Sequence, residues 1–290
     1  PTGTLTAVES VVDAVRDARR SLSDLGNIEL VHADVNVWLQ RHQDRKYSIV
    51  VADPPRNGLG AANVALNCKA LGAKVTLASI VGDDSEGNTL IKLANEAGLD
   101  TSLISQSWRR PTTTKTRVLS RNQQMLRIDD EVTDELFTDE EHPFIDSVLK
   151  YLQRVKPQVL IFEDYNKGLL KENVINRITA HCKELGIVTA VDPKKKNFLA
   201  YRDVTIFKPN LKEVREGLNI PIEQIDEKEL NGAHKRLNEA LHHDVTFITL
   251  SEKGVFYNNG FSSGIIPTHI RNIADVSGAG DTVIATAAMT

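Results

Sequence analysis

The sequence predicts an α/β protein with an open, doubly wound and mostly parallel sheet that has helices on both faces. Short apolar, β-branched segments alternate with amphipathic segments along most of the chain. Most of the short segments are apolar on both sides, as strands are when helical layers cover both faces of a sheet. The repeated β-α-β order favours parallel neighbours.

The alternation places seven strands and seven helices. The predicted strands are residues 28–32, 48–52, 74–81, 159–163, 187–191, 204–207 and 245–250. The predicted helices are residues 8–22, 62–71, 89–97, 144–154, 172–185, 210–216 and 227–241. Asn210 and Asp226 stand where helices begin and are predicted N-caps, because their side chains accept hydrogen bonds from the first turn.

One segment departs from this rhythm. Residues 112–120 and 124–129 alternate polar and apolar positions, with Arg121-Asn122 at the turn between them. This pattern predicts a β-hairpin at the edge of the sheet or across its active face. Elements of this kind often close over ligands.

Composition and charge exclude several classes of protein. The 290 residues are 41% hydrophobic and 26% charged, with a formal net charge of −4. Acidic and basic residues are interspersed, which argues against a broad nucleic-acid or membrane surface. No apolar run approaches the roughly 20 residues that span a bilayer, and no secretory signal pattern is visible. Cys68 and Cys182 lack metal-type spacing, so we expect two buried thiols in a cytoplasmic protein.

The strongest chemical signal is the segment Asp275-Val276-Ser277-Gly278-Ala279-Gly280-Asp281-Thr282. The apolar run that follows makes this turn the start of a helix, so backbone N–H groups of Gly278, Ala279 and Gly280 would face an anion. Asp281 beside that anion is the candidate catalytic base, which takes a proton from an attacking hydroxyl. The alternative is a glycine-rich helix cap with a capping aspartate.

Other segments in chain order carry a family resemblance. They are Gly60-Ala61-Ala62-Asn63-Val64-Ala65, Val81-Gly82-Asp83-Asp84 with Gly87, residues 117–124 with Arg127 and Asp129, Asp164-Tyr165-Asn166-Lys167-Gly168, Val191-Asp192-Pro193-Lys194, Lys208-Pro209-Asn210 with Glu213, and Thr249 with Gly254. Together with the Asp281 segment they resemble the ribokinase-like (PfkB) carbohydrate kinases over residues 60–290. The stretch from Arg117 to Asp129 resembles the heptose-7-phosphate kinase branch of that family.

The resemblance implies phosphoryl transfer from ATP, with Mg²⁺, to a hydroxyl of a phosphorylated sugar. It assigns the sugar to Asn63, Gly60 and Lys167, and the nucleotide side to Lys194, Asn210, Glu213, Thr249 and Gly254. Glu213 would hold Mg²⁺ through water, since Mg²⁺ keeps much of its water shell and prefers oxygen ligands. Three alternatives stay open: Asn63 also fits a turn or helix-capping position, Asn210 and Glu213 also fit a capping box, and each lysine also fits a solvated surface position.

Arg117, Arg121 and Arg127 form a basic set on the predicted hairpin. A substrate that already carries a phosphate suits the planar, bidentate donors that arginine provides. These arginines are therefore candidate ligands of a sugar phosphate. The alternative is a charged edge strand that resists aggregation.

Residues 1–59 depart from the kinase pattern. The early acidic sugar-binding residue and the β-lid of the family are not visible there, so the lid region is atypical or missing. Glu9, Asp34 and Asp53-Pro54-Pro55-Arg56 instead resemble parts of a class I S-adenosylmethionine-dependent RNA uracil-5 methyltransferase. The glycine-rich cofactor loop and the cysteine nucleophile of that family are absent from the segment. The predicted domains are thus a β-α-β segment at 1–59, which could complete the sheet without methyl transfer, and a kinase domain at 60–290.

The ends of the chain shape the remaining expectations. The helix at Asp281 is followed only to Thr290, whereas the family continues with helices that wall the adenine site. We therefore expect a kinase domain shortened at its C-terminus. The alternatives to an active kinase are a fragment of an S-adenosylmethionine-dependent RNA methyltransferase and an inactive α/β scaffold. The family often dimerises through its lid, so a homodimer is an open expectation, while nucleic acid and membrane are not expected partners.

Overall fold

The computed structural model describes residues 5–9, 28–32, 48–52, 60–120, 123–268 and 278–289. The strands in these ranges are β1 (Leu5–Glu9), β2 (Ile28–His32), β3 (Ser48–Ala52), β4 (Lys74–Gly82), β5 (Asp100–Ser107), β6 (Thr114–Ser120), β7 (Gln123–Asp130), β8 (Val159–Glu163), β9 (Val188–Asp192), β10 (Ile206–Phe207), β11 (Val245–Thr249), β12 (Val255–Asn258) and β13 (Ser263–Ile266). The α-helices are α1 (Gly60–Ala70), α2 (Ser85–Glu96), α3 (Thr138–Val155), α4 (Glu172–Leu185), α5 (Leu211–Leu218), α6 (Glu227–Leu241) and α7 (Ala279–Met289).

A nine-stranded sheet forms the centre of the molecule, in the order β13-β12-β11-β10-β9-β8-β3-β4-β5. The seven strands from β11 to β5 in this order run parallel, and β12 and β13 close one edge in antiparallel pairing. β3 lies in the middle of the sheet, between β8 and β4. β1 and β2 pair with each other in a separate two-stranded parallel sheet. The predicted doubly wound, mostly parallel fold is confirmed.

Strand β8 shows how the sheet separates two cores. Leu160 and Phe162 belong to the core cluster that also contains the buried residues of α3, α4 and α6. Val159 and Ile161, which alternate with them, belong to the second cluster with the buried residues of α1 and α7. Because successive side chains of a strand point to opposite faces, this alternation places the two helical layers on opposite sides of the sheet.

Several helix boundaries differ from the prediction for local reasons. Helix α2 begins before residue 89 because Asp84 caps it, accepting a hydrogen bond from the Gly87 N–H at 2.7 Å. Helix α3 begins at Thr138, six residues before the predicted start, and contains Pro143 in its second turn. Acidic residues in its first turn favour that start, since they complement the helix dipole. The predicted helix at 8–22 is wrong at its beginning, because residues 8 and 9 belong to β1.

Strands β5, β12 and β13 were not among the predicted strands. β5 and β13 are the two edge strands of the large sheet, and β12 lies next to β13. Their sequences are accordingly more polar, and β13 has no fully buried residue. Prediction of strands from hydrophobic periodicity depends on apolar runs, so it misses strands that are this polar.

The predicted hairpin is present as β6 and β7, which pair antiparallel in a two-stranded sheet of their own. Strand β7 exposes the apolar side chains of Met125, Leu126 and Ile128. Asn210 and Asp226 are the N-caps of α5 and α6, as predicted. Cys68 and Cys182 are free and buried, also as predicted. In the described ranges no helix combines the length and apolarity that crossing a bilayer requires.

A buried histidine lies at the end of α6. His243 is 1% exposed and shares the Thr246 hydroxyl with His234, whose Nδ1 is 2.8 Å from that oxygen. Burial, with a smaller contribution from the charge of His234, lowers the pKa of His243 from 6.5 to about 4. The folded state therefore holds this ring neutral, whereas the unfolded chain protonates it near its ordinary pKa.

We predict that this histidine makes the protein less stable in mild acid. Its contribution is fully present above pH 6.5 and is lost as the pH falls from 6.5 to about 4, a change of roughly 3 kcal/mol in the free energy of unfolding. The free energy of unfolding can be measured with urea at several pH values. Between pH 6.5 and about 4 it should change less steeply with pH in His243→Gln than in the wild type. Equal slopes in the two proteins would contradict the assignment.

Candidate active site

Charged residues collect at the carboxyl edge of the large sheet. Glu163 is the last residue of β8, Asp192 is the last residue of β9, and Lys208 directly follows β10. Because these strands are parallel neighbours, their carboxyl ends meet at one edge. Lys208 is 2% exposed, and its Nζ donates to Oδ2 of Asp192 at 2.9 Å. Ligands of open α/β sheets bind at this edge.

The N-terminus of α7 stands over this ion pair. Gly278 precedes the helix with φ of +82°, a left-handed conformation that glycine adopts without strain. A Cβ on Gly280 would lie 3.6 Å from Lys208 Nζ and 3.9 Å from Asp192 Oδ2, so the first turn of the helix adjoins the pair. The first N–H groups of a helix have no partner within it, and they can hold an anion.

Asp281 lies in this first turn of α7, beside Asn63 of α1. The Asn63 Nδ2 donates to Asp281 Oδ2 at 3.5 Å, which joins two residues that are 218 positions apart. Burial raises the pKa of Asp281 above its ordinary value, the hydrogen bond from Asn63 opposes that rise, and the charge of Asp192 adds to it. A half-buried carboxylate with a raised pKa is suited to accept a proton from a hydroxyl.

Lys194 connects the ion pair to α5. Its Nζ lies 3.3 Å from Oδ1 of Asp192 and 2.6 Å from Oε1 of Glu213. Burial opposes the charge of Lys194, but Asp192 and Glu213 outweigh burial and raise the pKa of the ammonium. Lys194 is therefore held as a cation between two carboxylates, and it is not a solvated surface lysine.

Asn210 and Glu213 form a capping box at the start of α5. The Asn210 side chain accepts from the Glu213 N–H at 2.9 Å, and Glu213 Oε2 accepts from the Asn210 N–H at 2.8 Å. Thr249 is bridged to Asn210 through the backbone at the end of β11. The capping alternative is thus realised. Glu213 joins this cap to Lys194 through their ion pair, and the backbone bridge joins Asn210 to Thr249.

A magnesium ion fits this corner only through water. Both oxygens of Glu213 already accept hydrogen bonds, although each carboxylate oxygen has a second lone pair for a water molecule. Within the described ranges no group of three or more His, Cys, Asp or Glu side chains is arranged to hold a metal directly. The residues present therefore suit an ion that keeps its water shell, as Mg²⁺ does.

Gly254 has a structural reason to be glycine. Its φ is +101°, and a Cβ there would lie 1.9 Å from the backbone oxygen of Ile266 in β13. The residue is therefore fixed by the close approach of two backbone segments. A nucleotide contact at this position stays a prediction.

The remaining predicted ligands are only partly brought to this site. Gly60 opens α1, three residues before Asn63. Lys167 is 8% exposed, and its Nζ lies 2.6 Å from Oε2 of Glu131 at the base of the hairpin. Arg117 and Arg127 are directly opposite each other on β6 and β7. Arg121 lies outside the described residues.

Three residues of the site received no role from the sequence. They are Glu163, Asp192 and Lys208, and each ends or follows a strand that is otherwise apolar. A charged residue at the carboxyl end of a buried parallel strand is the signal that could have found them. Lys208 also stands directly before Pro209-Asn210 in the segment that carries the resemblance.

The geometry combines a base with a place for an anion. Asp281 can accept a proton, while the first turn of α7 and the ammonium of Lys208 can stabilise negative charge beside it. Phosphoryl transfer to a hydroxyl requires this combination.

A family profile described as pfkB family carbohydrate kinase matches residues 37–289. The chain belongs to this family of carbohydrate kinases. The match begins before Gly60 and includes strand β3.

The resemblance of residues 1–59 to a methyltransferase has no support in these comparisons. Of the residues that carry it, the structure describes only Glu9, at the end of β1. The domain boundary near residue 59 stays a prediction.

Relatives of the PfkB chain include the bifunctional protein HldE of two bacteria. The protein from Geobacter sulfurreducens is 38% identical over 231 residues, which cover 79% of this chain and 46% of the relative. The protein from Methylobacillus flagellatus is 37% identical over 227 residues, covering 78% of this chain and 46% of the relative. The chain thus spans about half the length of the curated relatives it matches.

Solved structures of low sequence identity share the fold of this PfkB chain. Phosphofructokinase-2 from Escherichia coli in complex with potassium aligns with a TM-score of 0.65 and 14% identity, covering 84% of this chain and 85% of that chain. A putative sugar kinase from Clostridium perfringens aligns with a TM-score of 0.63 and 22% identity, covering 83% and 81%.

We predict that Gly254→Ala destabilises the protein much more than Gly186→Ala does. Gly186 is a matched control, since its φ of +68° is also left-handed but a Cβ there meets nothing within 4 Å. The control should cost about 1 kcal/mol, and Gly254→Ala on the order of 3 kcal/mol, because a backbone segment must also move. Chemical unfolding measures both, and similar losses would show that the contact with Ile266 is not the constraint.

Proposed function

We propose that the chain catalyses ATP-dependent phosphoryl transfer to a hydroxyl group of a phosphorylated sugar, with heptose 7-phosphate as the substrate. The observation that carries this proposal is the position of Asp281, whose half-buried carboxylate lies in the first turn of α7 and beside Asn63. Membership of the carbohydrate kinase family supports the reaction class. Relatives named HldE and the arginine-bearing hairpin support the substrate.

Each part of the site has a role in this proposal. Asp281 accepts the proton of the sugar hydroxyl as that oxygen attacks the terminal phosphorus of ATP, while the bond from this phosphorus to the β–γ bridging oxygen breaks and ADP leaves. The N–H groups of Ala279 and Gly280, together with Gly278, and the Lys208 ammonium stabilise the charge on the transferred phosphoryl group. Asn63 orients both Asp281 and the sugar.

The phosphate already on the sugar requires cations away from the reacting hydroxyl. Arg117 and Arg127 occupy directly opposite register positions on the two strands of the hairpin, and arginine is suited to bidentate contact with a phosphate. We assign them, with Arg121, to that phosphate. Lys167 is assigned to the substrate at the base of the hairpin, where its ion pair with Glu131 would exchange for a phosphate contact.

The nucleotide is assigned to the corner formed by Lys194, Asn210, Glu213, Thr249 and Gly254. Mg²⁺, when bound, neutralises charge on the β- and γ-phosphates. Glu213 would hold it through water, and Lys194 would contact phosphate oxygens from its position between two carboxylates. A homodimer and a cytoplasmic location stay predictions of the sequence.

We predict that Asp281→Asn lowers kcat by about a hundredfold or more, because an amide cannot accept the proton. Asp226→Asn is the matched control, since Asp226 is also an acid at a helix N-terminus but caps α6, and asparagine caps equally well. A coupled ADP-release assay should be run with heptose 7-phosphate, other sugar phosphates and neutral sugars. Unchanged turnover in Asp281→Asn would refute the base assignment.

The same assay separates an enzyme from an inactive scaffold. An active kinase releases ADP only when an acceptor sugar is present, whereas a scaffold releases none with any sugar. Faster turnover with a neutral sugar than with every sugar phosphate would reject the substrate class while leaving the kinase assignment in place.

The pH dependence of the reaction tests the contact between Asn63 and Asp281. Activity requires the ionised carboxylate, so kcat/KM for ATP should rise with pH through the raised pKa of Asp281. Asn63→Leu removes a hydrogen bond that lowers this pKa, so the acid limb should move to higher pH. If the acid limb of the pH profile stays in place or moves to lower pH in Asn63→Leu, the hydrogen bond from Asn63 does not lower the pKa of Asp281.

A further inference from the structure

Glu163 is a buried carboxyl group that the proposed reaction leaves without a role. It is the last residue of β8 and is 1% exposed. In the parallel pairing of β8 with β9 it is directly opposite Asp192, so the two side chains leave the sheet on the same face. Glu163 therefore lies next to the Asp192–Lys208 ion pair, under the first turn of α7.

The two neighbouring carboxyl groups have opposite surroundings. Asp192 accepts an ammonium hydrogen on each oxygen, from Lys194 at 3.3 Å and from Lys208 at 2.9 Å. Oε1 of Glu163 is buried and has no hydrogen-bond partner in the described part of the chain. Among the described residues, both lysines pair with Asp192, and neither donates a hydrogen bond to Oε1 of Glu163.

The charged groups around Glu163 come from four elements. Burial raises its pKa well above the ordinary value, Asp192 and Asp281 add to that rise, and Lys208 and Lys194 oppose it. Cys68 of α1 faces it as well, since the pKa of that thiol is raised to about 12, by burial first and by Glu163 second. The surroundings as a whole favour the neutral acid.

A count of charges gives the reason. Lys194 and Lys208 are two cations, Asp192 and Glu213 are the two carboxylates paired with them, and the ionised base Asp281 is a third carboxylate nearby. An ionised Glu163 would add an unpaired negative charge under the helix N-terminus, where the transferred phosphoryl group would carry its own. Like charges at a buried site repel strongly, because the local dielectric constant is low.

Resting on the proposed kinase function, we propose that Glu163 is a positioning residue. As a neutral carboxylic acid, it supports the Asp192–Lys208 pair beneath the N-terminus of α7 without adding negative charge. Asp192 and Lys208 then stay in place while the pair presents its ammonium to the phosphoryl group. Glu163 itself touches neither substrate.

Two substitutions separate the shape of Glu163 from its charge. Glu163→Ala removes the support and is expected to lower kcat about tenfold, with the KM for sugar changed by less than about twofold. Glu163→Gln keeps the shape without a charge and should restore most of that loss. The control is Glu141→Gln, since Glu141 is a second buried glutamate that, unlike Glu163, pairs with a lysine (Lys171) and lies in α3, outside the site. Wild-type kcat in Glu163→Ala would overturn the proposal.

The pH dependence of kcat distinguishes this role from a purely structural one, because a purely structural role would leave it unchanged. In the wild type, kcat should fall at alkaline pH as Glu163 ionises, and this limb should be absent in Glu163→Gln. The control Glu141→Gln should keep the limb. The same alkaline limb in Glu163→Gln and wild type would show that ionisation of Glu163 does not affect catalysis, and would overturn the proposal even if Glu163→Ala fails to fold.

Infrared difference spectroscopy separates this proposal from the proposed function. The spectrum of wild type minus Glu163→Gln at neutral pH should contain the carbonyl stretching band of a protonated carboxylic acid. That band is independent of turnover. A protein that shows the band but phosphorylates no sugar would refute the kinase function and the positioning role of Glu163, and Glu163 would still be a neutral carboxylic acid. A carboxylate band in its place overturns the proposal about Glu163, whether or not the chain is a kinase.

Discussion

The ion pair between Lys208 and Asp192 is the interaction on which the rest of the site depends. Both side chains are buried at the carboxyl edge of the sheet, where a single charge would be costly and a pair is tolerated only with good geometry. The pair sits between strands β9 and β10 below and helix α7 above. Any change that separates these elements leaves an unpaired buried charge, so the fold and the site are held by the same contact.

Around this pair, the environment sorts the acidic groups into different states. Asp192 and Glu213 share the ammonium of Lys194, and Asp192 also accepts a hydrogen bond from Lys208. Asp281 is half-buried, and burial raises its pKa while the hydrogen bond from Asn63 opposes that rise. Glu163 is almost completely buried, and within the described residues its Oε1 has no hydrogen-bond partner. Acids with different protonation tendencies are what acid–base chemistry at one site requires.

The central part of the fold could be predicted from the sequence, and its edges could not. Strands such as β8 are apolar on both faces, and that pattern has few structural interpretations. β5, β12 and β13 are partly solvated, so their composition resembles that of loops. In the site, Asp281 and the segment from Lys208 to Glu213 were visible as local motifs. The bond between Asn63 and Asp281 was not, because it joins distant parts of the chain.

By itself, the sequence determined the doubly wound class, the hairpin, the helix caps at Asn210 and Asp226, and the identity of the candidate base. Each of these depends on residues close together in the chain, where periodicity and capping chemistry act locally. Only the tertiary structure decided which charges meet. It paired Lys194 with Glu213, turned Lys167 towards Glu131, and set Glu163 beside Asp192. Pairing of strands and burial create those contacts, and neither can be read from spacing along the chain.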